Sequence, residues 1–391
     1  MIYVECIKTG LAIIIAAGCG YSIYALFCML RFFSSQKGNV ETMRHIPVSV
    51  LKPVKGLDPD FRENIESFCR QDYPEYEVLL GFTDEDDEAI KVALEIADSI
   101  PDGKVRVVVG NERIGVNIKV SNLQGLLNEA KYPLLAISDS DMRVGGDYLN
   151  TIVREYQSSG NVGLVTSLYK ISNPASSGAA LESLTIAVDF IPSVLVARQL
   201  EGITFGLGAS MLLSKEAIES IGGLKAIADH LADDYQIGNR LWKKGRKIIL
   251  SNYVVEDVAG DMAVSEYFVH QLRWARTYRA SRPWGFFGYG ITHVFPLSLL
   301  LIATDGPTVF SLSVMSATLL LRLAIAWAAY RYVIHSGRWL GWLYLLPLKD
   351  VSAFAIWAWS FAGRKVLWRG TSYLIEKGGL IKQAAARRPL E

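Results

Sequence analysis

The stretch that decides the fold is Leu134-Leu135-Ala136-Ile137-Ser138-Asp139-Ser140-Asp141, in a sequence of 391 residues. Its apolar residues are typical of a buried strand, and the strand ends in two carboxylates that stand one residue apart. Ligands of open α/β sheets bind beyond the carboxyl ends of the strands. Asp139 and Asp141 are therefore candidate ligands of Mg²⁺ or Mn²⁺, which can in turn hold a diphosphate. Aspartate pairs also form turns and helix caps, so the pair alone leaves both interpretations open.

Apolar runs alternate with helical patterns before this stretch. The expected elements are strand 48–54, helix 61–70, strand 76–82, helix 88–97, strand 105–109, helix 117–130 and strand 134–137. Such alternation predicts an α/β domain with a parallel sheet and right-handed crossovers. The sequence contains neither a Gly-x-Gly-x-x-Gly nor a Walker lysine motif, so dinucleotide binding and ATP hydrolysis lack their usual sequence support.

Further strands are expected at 163–169 and 211–214 on the C-terminal side. Between them, residues 179–200 form a long apolar stretch with Asp189 in its middle and Pro192 in its interior. One interpretation is a groove-lining or interfacial helix that admits a lipid tail, and the other is a buried core helix. The small residues of 204–210 allow the backbone to approach a ligand closely.

Charge and hydropathy separate the two ends of the sequence from its middle. Lysine and arginine number 40 against 39 aspartates and glutamates, which excludes the basic excess of a nucleic-acid-binding protein. Residues 10–30 carry no charge and are long enough to span a bilayer. A signal peptide would need a more positive start, so a retained membrane span is favoured. Because Arg31, Lys37 and Arg44 follow the span, the next domain is expected in the cytoplasm.

The last third of the sequence is again apolar. Candidate spans are 286–303 and 308–333, and a third stretch, 339–363, is interrupted by Pro347-Leu348-Lys349-Asp350. Two crossings plus a re-entrant or interfacial pair around Lys349 and Asp350 keep the basic C-terminal residues, including Arg387 and Arg388, in the cytoplasm. Arg322, in the middle of a span, is expected to face protein or a headgroup cavity.

Other acidic and basic residues stand at the ends of predicted elements. The second strand ends in Asp84-Glu85-Asp86-Asp87, where one carboxylate could bind a nucleoside or all could cap the next helix. Lys119 lies near a helix N-terminus that favours anions, so it could reach a phosphate, although a surface lysine is the alternative.

Two later motifs offer a base and a cation. In His230-Leu-Ala-Asp233-Asp234-Tyr235, one carboxylate could act as a general base or could simply cap a helix. In His270-Gln-Leu-Arg273-Trp274, the guanidinium matches phosphate and the indole offers a stacking surface. A basic amphipathic segment at a membrane surface is the alternative for the second motif.

The order of these motifs resembles the GT-A glycosyltransferases of family 2 and, more closely, the ceramide glucosyltransferase family, over roughly residues 45–370. The resemblance is carried by Val50-Leu-Lys-Pro-Val-Lys-Gly56, Phe68 with Asp72-Tyr-Pro74, Tyr76-Glu-Val-Leu79, Asp84-Glu-Asp-Asp87, Gly115-Val-Asn-Ile-Lys119, Asp139-Ser140, Asp233-Asp-Tyr235 and Arg273-Trp274.

The resemblance implies an α/β fold of the GT-A type, which is a Rossmann-like and mostly parallel sheet, with N- and C-terminal transmembrane helices. The expected domains are a transmembrane anchor at 1–34, a cytoplasmic GT-A domain at 45–282, a C-terminal membrane region at 284–370 and a basic cytoplasmic tail at 371–391. The implied location is a bilayer, and for a bacterial member the inner membrane.

The resemblance also assigns the acidic residues of the site. It implies that Asp87, with Asp84, lies near the uridine of a UDP-sugar. Asp139 matches the family's second aspartate, and Asp141 completes a pair for Mg²⁺ or Mn²⁺. Asp234 matches the base that deprotonates the acceptor hydroxyl, with Asp233 beside it.

The remaining assignments concern the donor diphosphate and the acceptor. Arg273 and Trp274 match the Gln/Arg-x-x-Arg-Trp motif near both of them, but His270 occupies its first position. Lys119 and His230 are further candidates for donor and acceptor contacts.

The implied reaction is inverting transfer of a sugar from UDP to a lipid hydroxyl, with UDP-glucose and ceramide as the first pair. Similarity at Gly163-Leu-Val-Thr166 and His270-Gln-Leu-Arg-Trp-Ala-Arg-Thr277 to bacterial hopanoid-associated glycosyltransferases keeps a second pair open, UDP-N-acetylglucosamine and a hopanoid. A processive polysaccharide synthase would require more membrane spans. A non-catalytic protein that binds nucleotide-sugar or lipid would not require the whole set of motifs.

Overall fold

The computed structural model describes residues 2–34 and 44–384, so Lys37, Arg387 and Arg388 lie outside the described residues. The chain folds into two compact units, each built from separate segments. The helical unit comprises Met1–Gln36, Lys170–Leu200 and Asp261–Val366. The sheet unit comprises Lys37–Tyr169, Glu201–Gly260 and Leu367–Glu391.

The strands are β1 (Val48–Pro53), β2 (Tyr76–Phe82), β3 (Val105–Val109), β4 (Leu134–Ile137), β5 (Met142–Arg143), β6 (Val162–Lys170), β7 (Met211–Ser214), β8 (Lys247–Asp257), β9 (Lys365–Trp368), β10 (Thr371–Ile375) and β11 (Ile381–Gln383). The helices are α1 (Ile2–Ser34), α2 (Phe61–Cys69), α3 (Ala89–Ser99), α4 (Ile118–Glu129), α5 (Tyr148–Tyr156), α6 (Ser177–Thr185), α7 (Ile191–Glu201), α8 (Lys215–Ser220), α9 (Asp233–Lys243), α10 (Val264–Ser281), α11 (Pro283–Tyr289), α12 (Val294–Asp305), α13 (Val309–Ala329), α14 (Gly337–Leu340) and α15 (Leu346–Ser360).

An eight-stranded sheet in the order β3-β2-β1-β4-β7-β6-β8-β5 forms the centre of the sheet unit. Strands β3, β2, β1 and β4 run parallel, and β7 turns antiparallel to β4. Every residue of β1, β2 and β4 is buried, because helices cover both faces of a parallel sheet and leave no solvent-facing row. The α/β prediction is confirmed.

The order of the strands reverses between β1 and β4. The chain moves outward from β1 through β2 to β3 and then returns to β4 on the other side of β1. A crevice opens at such a switch point, outside the carboxyl ends of the two adjacent strands. The segments that follow β1 and β4 are therefore the ones positioned to bind a ligand.

Two groups of helices pack together in the helical unit. Helix α1 packs against α12 and α13, where Ile15, Leu297 and Leu301 form a buried cluster. Helix α10 packs against α6 and α15 around Tyr267. Among the described residues, Glu5–Ser34, Ser177–Glu201 and Val309–Ile334 are long and apolar enough to cross a membrane.

The stretch expected at 179–200 is a helix interrupted by a π-helical turn at Ile186–Phe190. Of its most apolar window, 83% is buried inside the protein, which favours the core interpretation over a lipid-tail groove. Pro192 has no N–H to offer the carbonyl of Val188, four residues earlier. Arg322 donates to that carbonyl instead, at 3.2 Å. As predicted, Arg322 faces protein.

The predicted span at 286–303 is not one straight helix. Segments Pro283–Thr292 and Val294–Asp305 meet at an angle of 61°. Pro347 stands in the first turn of α15, where its missing N–H is tolerated. Residues 347–350, predicted to interrupt the apolar stretch, therefore form the start of a helix. With 15 residues, α15 is roughly 22 Å long, shorter than the hydrocarbon core of a bilayer.

Part of the segment predicted as a basic tail is folded. Strands β10 and β11 pair antiparallel, and Leu380 forms a bridge with His230. The backbone N–H of Ile381 donates to the carbonyl of Asp229 at 2.8 Å. Residues 371–384 therefore belong to the fold of the sheet unit.

Candidate active site

The ends of β1 and β4 are linked by a buried lysine. The ammonium of Lys52, in β1, donates to the backbone carbonyl of Asp139 at 2.5 Å and lies 3.7 Å from the centre of the Phe68 ring. Burial lowers the pKa of Lys52 to about 7, although the carboxylates of Asp141 and Asp139 oppose the shift. Lys52 thus holds the strand end from which Asp139 projects.

Lys119 lies among three carboxylates of the site. Its ammonium is 2.5 Å from Oδ1 of Asp139 and 3.6 Å from Oδ2 of Asp233. Burial disfavours the charged form, but Asp139, Asp233 and Asp234 together raise the pKa of Lys119 above its ordinary value. Its side chain is only 17% exposed, so the surface-lysine interpretation is wrong.

Asp234 is held at the start of α9 by two backbone donors. The N–H of Gly208 donates to Oδ2 at 2.8 Å, and the N–H of Tyr235 donates to Oδ1 at 2.7 Å. Burial and the neighbouring Asp233 raise the pKa of Asp234 to about 6. A carboxylate whose pKa lies close to neutrality can accept a proton from a substrate hydroxyl.

A side chain at Gly208 would crowd the charged groups of the site. A Cβ there would lie 3.2 Å from Oδ2 of Asp139 and 3.3 Å from both Oδ2 of Asp234 and the ammonium of Lys119. At this residue the backbone lies close to three site side chains, while the approach to a ligand predicted for 204–210 stays a prediction. Because the backbone itself reaches the carboxylates, its N–H can orient Asp234.

Asp141 carries a buried oxygen without a partner. Within the described part of the chain, no hydrogen-bond donor reaches its Oδ1. Burial together with Asp139 and Asp58 raises the pKa of Asp141 to about 6. Among residues 2–34 and 44–384, no three His, Cys, Asp or Glu side chains form a metal-binding group. Mg²⁺ usually binds through one or two carboxylates plus the phosphates of a substrate, so Asp139 and Asp141 fit such an ion.

The aspartates after β2 are occupied by backbone groups. Asp87 accepts from the N–H groups of Gly56 and Ala89 at 2.8 and 3.0 Å, and Asp84 accepts from that of Asp86 at 3.1 Å. Asp87 thus accepts from the first residue of α3, whereas the Asp84 bond closes a turn before that helix. The nucleoside role of these carboxylates stays a prediction. The Gly56 contact ties the loop after β2 to the segment after β1, at the edge where Asp139 lies.

His230 is part of the scaffold beneath Asp233. Its carbonyl accepts from the side chain of Asn117 at 2.8 Å, and Asn117 also caps α4, the helix that carries Lys119. Burial lowers the pKa of His230, so the ring is neutral at pH 7. His230 therefore connects the starts of two helices that supply site residues.

Arg273, Trp274 and His270 lie on α10 in the helical unit. The indole of Trp274 packs against the rings of Phe190 and His270, with centroids 5.8 and 5.2 Å apart. Nδ1 of His270 is 3.0 Å from Oε1 of Glu182, whose side chain is 2% exposed. The unusual histidine of the motif is thus fixed by a buried carboxylate and supports Trp274.

Three residues of the sheet-unit site were missed by sequence reasoning. For Lys52, the sequence contains one signal that could have identified it, namely a charged residue within an otherwise apolar predicted strand. Asp58 belongs to none of the sequence motifs. Its carboxylate nevertheless accepts a hydrogen bond from Ser140 at 2.5 Å and forms an ion pair with Arg369 at 2.9 Å. Asp58 and Arg369 are 311 residues apart, and no local pattern connects them.

Comparison with known proteins identifies the family. The sequence model of glycosyl transferase family 21 matches residues 10–381. The chain belongs to glycosyl transferase family 21. Ceramide glucosyltransferase 3 of Caenorhabditis elegans is 26% identical over 369 residues, which are 92% of this chain and 78% of that protein. Ceramide glucosyltransferase 1 of the same organism is 28% identical over 279 residues, which are 70% of this chain and 60% of that protein.

A solved structure supports the fold of this family 21 member. The mannosyltransferase PcManGT from Pyrobaculum calidifontis, in complex with GDP-Man and Mn²⁺, has a TM-score of 0.54 and 19% sequence identity, and the match covers 91% of this chain and 99% of that one. The GT-A fold, the glycosyltransferase activity and the resemblance to ceramide glucosyltransferases are confirmed. The hopanoid branch stays a prediction.

Proposed function

We propose that this family 21 glycosyltransferase transfers glucose from UDP-glucose to the hydroxyl of ceramide and forms β-glucosylceramide. Its matched relatives are ceramide glucosyltransferases, which supports this donor and acceptor. The observation that carries the chemistry is the carboxylate of Asp234, which Gly208 orients and whose pKa is raised to about 6.

Asp234 acts as the general base in this proposal. It takes the proton of the acceptor hydroxyl as the oxygen attacks the anomeric carbon, and the bond from that carbon to the UDP oxygen breaks on the opposite face. A single displacement converts the α-linked donor to a β-glycoside, so no second nucleophile is required. Lys119 stays charged, and its contact with Asp139 keeps both groups directed toward the donor.

The donor diphosphate requires neutralisation as it leaves. A bound Mg²⁺ or Mn²⁺ supplies this as a Lewis acid. Asp139 and Asp141 would hold the ion, and the partnerless Oδ1 of Asp141 supports that assignment. The mannosyltransferase of similar fold was solved with Mn²⁺.

The other motif residues receive proposed roles from the same reasoning. Asp87, with Asp84, lines the uridine side, Arg273 contacts the diphosphate, and Trp274 lies beside the acceptor. The helices that are long and apolar enough to cross a bilayer support a membrane-bound enzyme. We place its sheet unit on the cytoplasmic face, which in a bacterium is that of the inner membrane.

A product assay on the purified full-length protein in detergent tests the proposal. UDP-glucose and UDP-N-acetylglucosamine are each offered with ceramide and with a hopanoid, in Mg²⁺ or Mn²⁺, and lipids are analysed by mass spectrometry. We expect glucosylceramide. An N-acetylglucosaminyl hopanoid as product would replace UDP-glucose and ceramide in the proposal by UDP-N-acetylglucosamine and a hopanoid. UDP binding without any lipid product would favour the non-catalytic alternative.

A further inference from the structure

Arg369 occupies an unusual position in the turn between β9 and β10. Its φ is 45°, and Gly370 after it has a φ of 77°. Two successive positive φ angles are typical of a tight hairpin turn, in which Asn or Asp is preferred before glycine. Arginine is unfavourable in this conformation, so the turn carries a long cationic side chain at a local cost.

One edge of the Arg369 guanidinium is engaged by protein. Nη1 donates to Oδ1 of Asp58 at 2.9 Å and to the carbonyl of Lys55 at 3.3 Å. Within the described part of the chain, no protein acceptor is found for Nε or Nη2 of this guanidinium. The side chain is 42% exposed, so these donors are open to a ligand.

The guanidinium lines an open cavity at the edge of the sheet. The lining residues are Lys55, Gly56, Asp86, Asp87, Glu88 and Arg369. Asp87 is the residue that the family resemblance places near the uridine. Arg369 thus shares a cavity with the proposed nucleoside side of the donor site.

Arg369 also reaches the metal-binding side. Its partner Asp58 accepts from Ser140, the residue between Asp139 and Asp141. The negative field of Asp58, Asp141 and Asp139 outweighs burial and raises the pKa of Arg369, so the side chain stays charged. A nucleoside diphosphate that contacts both Asp87 and the Asp139–Asp141 pair has to place its phosphates near this cation.

We propose that Arg369 is a further donor-binding residue, whose free guanidinium edge contacts the diphosphate of the nucleotide while the other edge remains anchored by Asp58. A planar fork of donors matches phosphate oxygens, and the anchored edge reduces the conformational entropy lost on binding. This inference rests on the proposed function, because it requires a nucleoside diphosphate donor. The alternative is a latch that only joins the C-terminal hairpin to the segment after β1.

Calorimetric titration of full-length protein in detergent with UDP, and separately with uridine, distinguishes a phosphate contact from a latch. The variants are Arg369→Ala and Arg369→Lys, and the matched control is Lys382→Ala. Lys382 lies in β11 of the same three-stranded sheet, is 70% exposed and pairs only with Glu376 among the described residues, so its replacement removes one positive charge from the surface. Melting temperatures of all four proteins are measured alongside.

We expect Arg369→Ala to bind UDP about tenfold or more weakly, the loss typical of one charge-assisted hydrogen bond. Its affinity for uridine should stay at the value of the parent, Arg369→Lys should fall between the two, and Lys382→Ala should match the parent for both ligands. Because uridine has no phosphate, a selective loss of UDP affinity identifies the diphosphate as the partner.

Two results overturn the inference alone. One is an unchanged UDP affinity of Arg369→Ala in a protein whose parent binds UDP. The other is an equal loss of UDP and uridine affinity with a lowered melting temperature in both Arg369 variants, which is the behaviour of a latch. A parent protein that binds no UDP would instead remove the proposed function, and the inference with it.

Discussion

The two units each contain a cluster of charged side chains, and the clusters are built differently. In the helical unit, the closed cluster consists of Asp189, Arg322, Lys349 and Asp350, none more than 10% exposed. In the sheet unit, the open cluster consists of Asp58, Asp139, Asp141, Asp233 and Asp234 with Lys52, Lys119 and Arg369.

The closed cluster is balanced and fully paired. Arg322 donates bidentate hydrogen bonds to both oxygens of Asp350, at 2.9 and 2.8 Å, and a third hydrogen bond to Asp189 at 2.5 Å. Lys349 contacts Asp189 at 2.6 Å and Asp350 at 2.7 Å. Two positive and two negative groups leave no net charge and no unsatisfied carboxylate, so this cluster has little to offer a ligand.

The open cluster has five carboxylates against three cations. The pKa values of Asp141 and Asp234 rise to about 6, and that of Asp233 is also raised. No donor from the described residues reaches Oδ1 of Asp141. The formal deficit of two positive charges equals the charge of one divalent ion. A cluster paired within the protein thus stabilises the fold, whereas an unbalanced cluster is suited to a charged ligand.

Replacing Asp234 by Asn should give the largest effect. Loss of a general base costs a factor of about 10² to 10⁴ in rate, and the amide keeps the shape of the side chain. We expect UDP affinity near that of the parent and almost no glycosyl transfer, measured by calorimetry and by the lipid product assay. Glu219→Gln, an exposed change on α8, is the control. Retained transfer would remove Asp234 as the base.

Replacing Arg322 by Leu should break the closed cluster and leave catalytic groups untouched. The variant leaves two buried aspartates with one lysine, and breaking a buried ion pair costs about 3–5 kcal/mol of unfolding free energy. We expect a clearly lower melting temperature of the full-length protein in detergent.

A second variant tests whether charge balance causes that loss. Arg322→Leu combined with Asp350→Leu leaves the pair of Lys349 and Asp189, which are 2.6 Å apart. We expect most of the lost stability to return in the double variant. A single variant that melts like the parent would contradict the view that the closed cluster stabilises the fold.

The pH dependence of transfer should report the open cluster. Among the groups that face Asp234, the carboxylates of Asp233 and Asp139 raise its pKa and so oppose its ionisation, whereas Lys119 lowers that pKa and favours ionisation. Since the base must be deprotonated and its pKa is raised to about 6, the rate should fall roughly tenfold per pH unit below that value. A rate of transfer to lipid that is flat between pH 5 and 7, with saturating donor, would contradict this assignment.

The smallest expected effect has the opposite sign to that of Arg322→Leu. Asp141→Asn removes one carboxylate from a group that includes Asp139 and Asp58, and so relieves like-charge repulsion. We expect the ligand-free protein to gain about 1 kcal/mol or less, seen as a slightly higher melting temperature. The extra stabilisation that UDP with Mn²⁺ gives the parent should be lost. A lower melting temperature of the ligand-free Asp141→Asn protein would show that neighbouring cations already neutralise the charge of Asp141.

The sequence predicts the sheet well because strand signals are local. Strands at 76–82, 105–109, 134–137 and 211–214 stand where their apolar patterns predict them, and Asp139 follows β4 as expected. The partners of that strand end cannot be predicted, since Lys52 is 87 positions from Asp139 and Arg369 is 311 from Asp58. Local patterns give elements, whereas charge pairing depends on how the elements assemble.

The same limit explains the helical unit. Residues 177–201 are apolar enough for a membrane surface, and only the packing around them shows that they are buried. Asp189 lies in the middle of this stretch, and its two oxygens accept from Arg322 and Lys349. Pro192 signals a break in the helix without revealing that Arg322 compensates for it.

The small sheet of β9, β10 and β11, which carries Arg369 in its first turn, has a consequence for biosynthesis. Chains are made from the N-terminus, and residues 371–384 follow every apolar helix of the helical unit in sequence. The bridge between Leu380 and His230 therefore cannot form until those helices have left the ribosome. The sheet unit, most of which is translated early, must wait for its last strands, so the enzyme acquires its finished site only after its apolar segments have been synthesised.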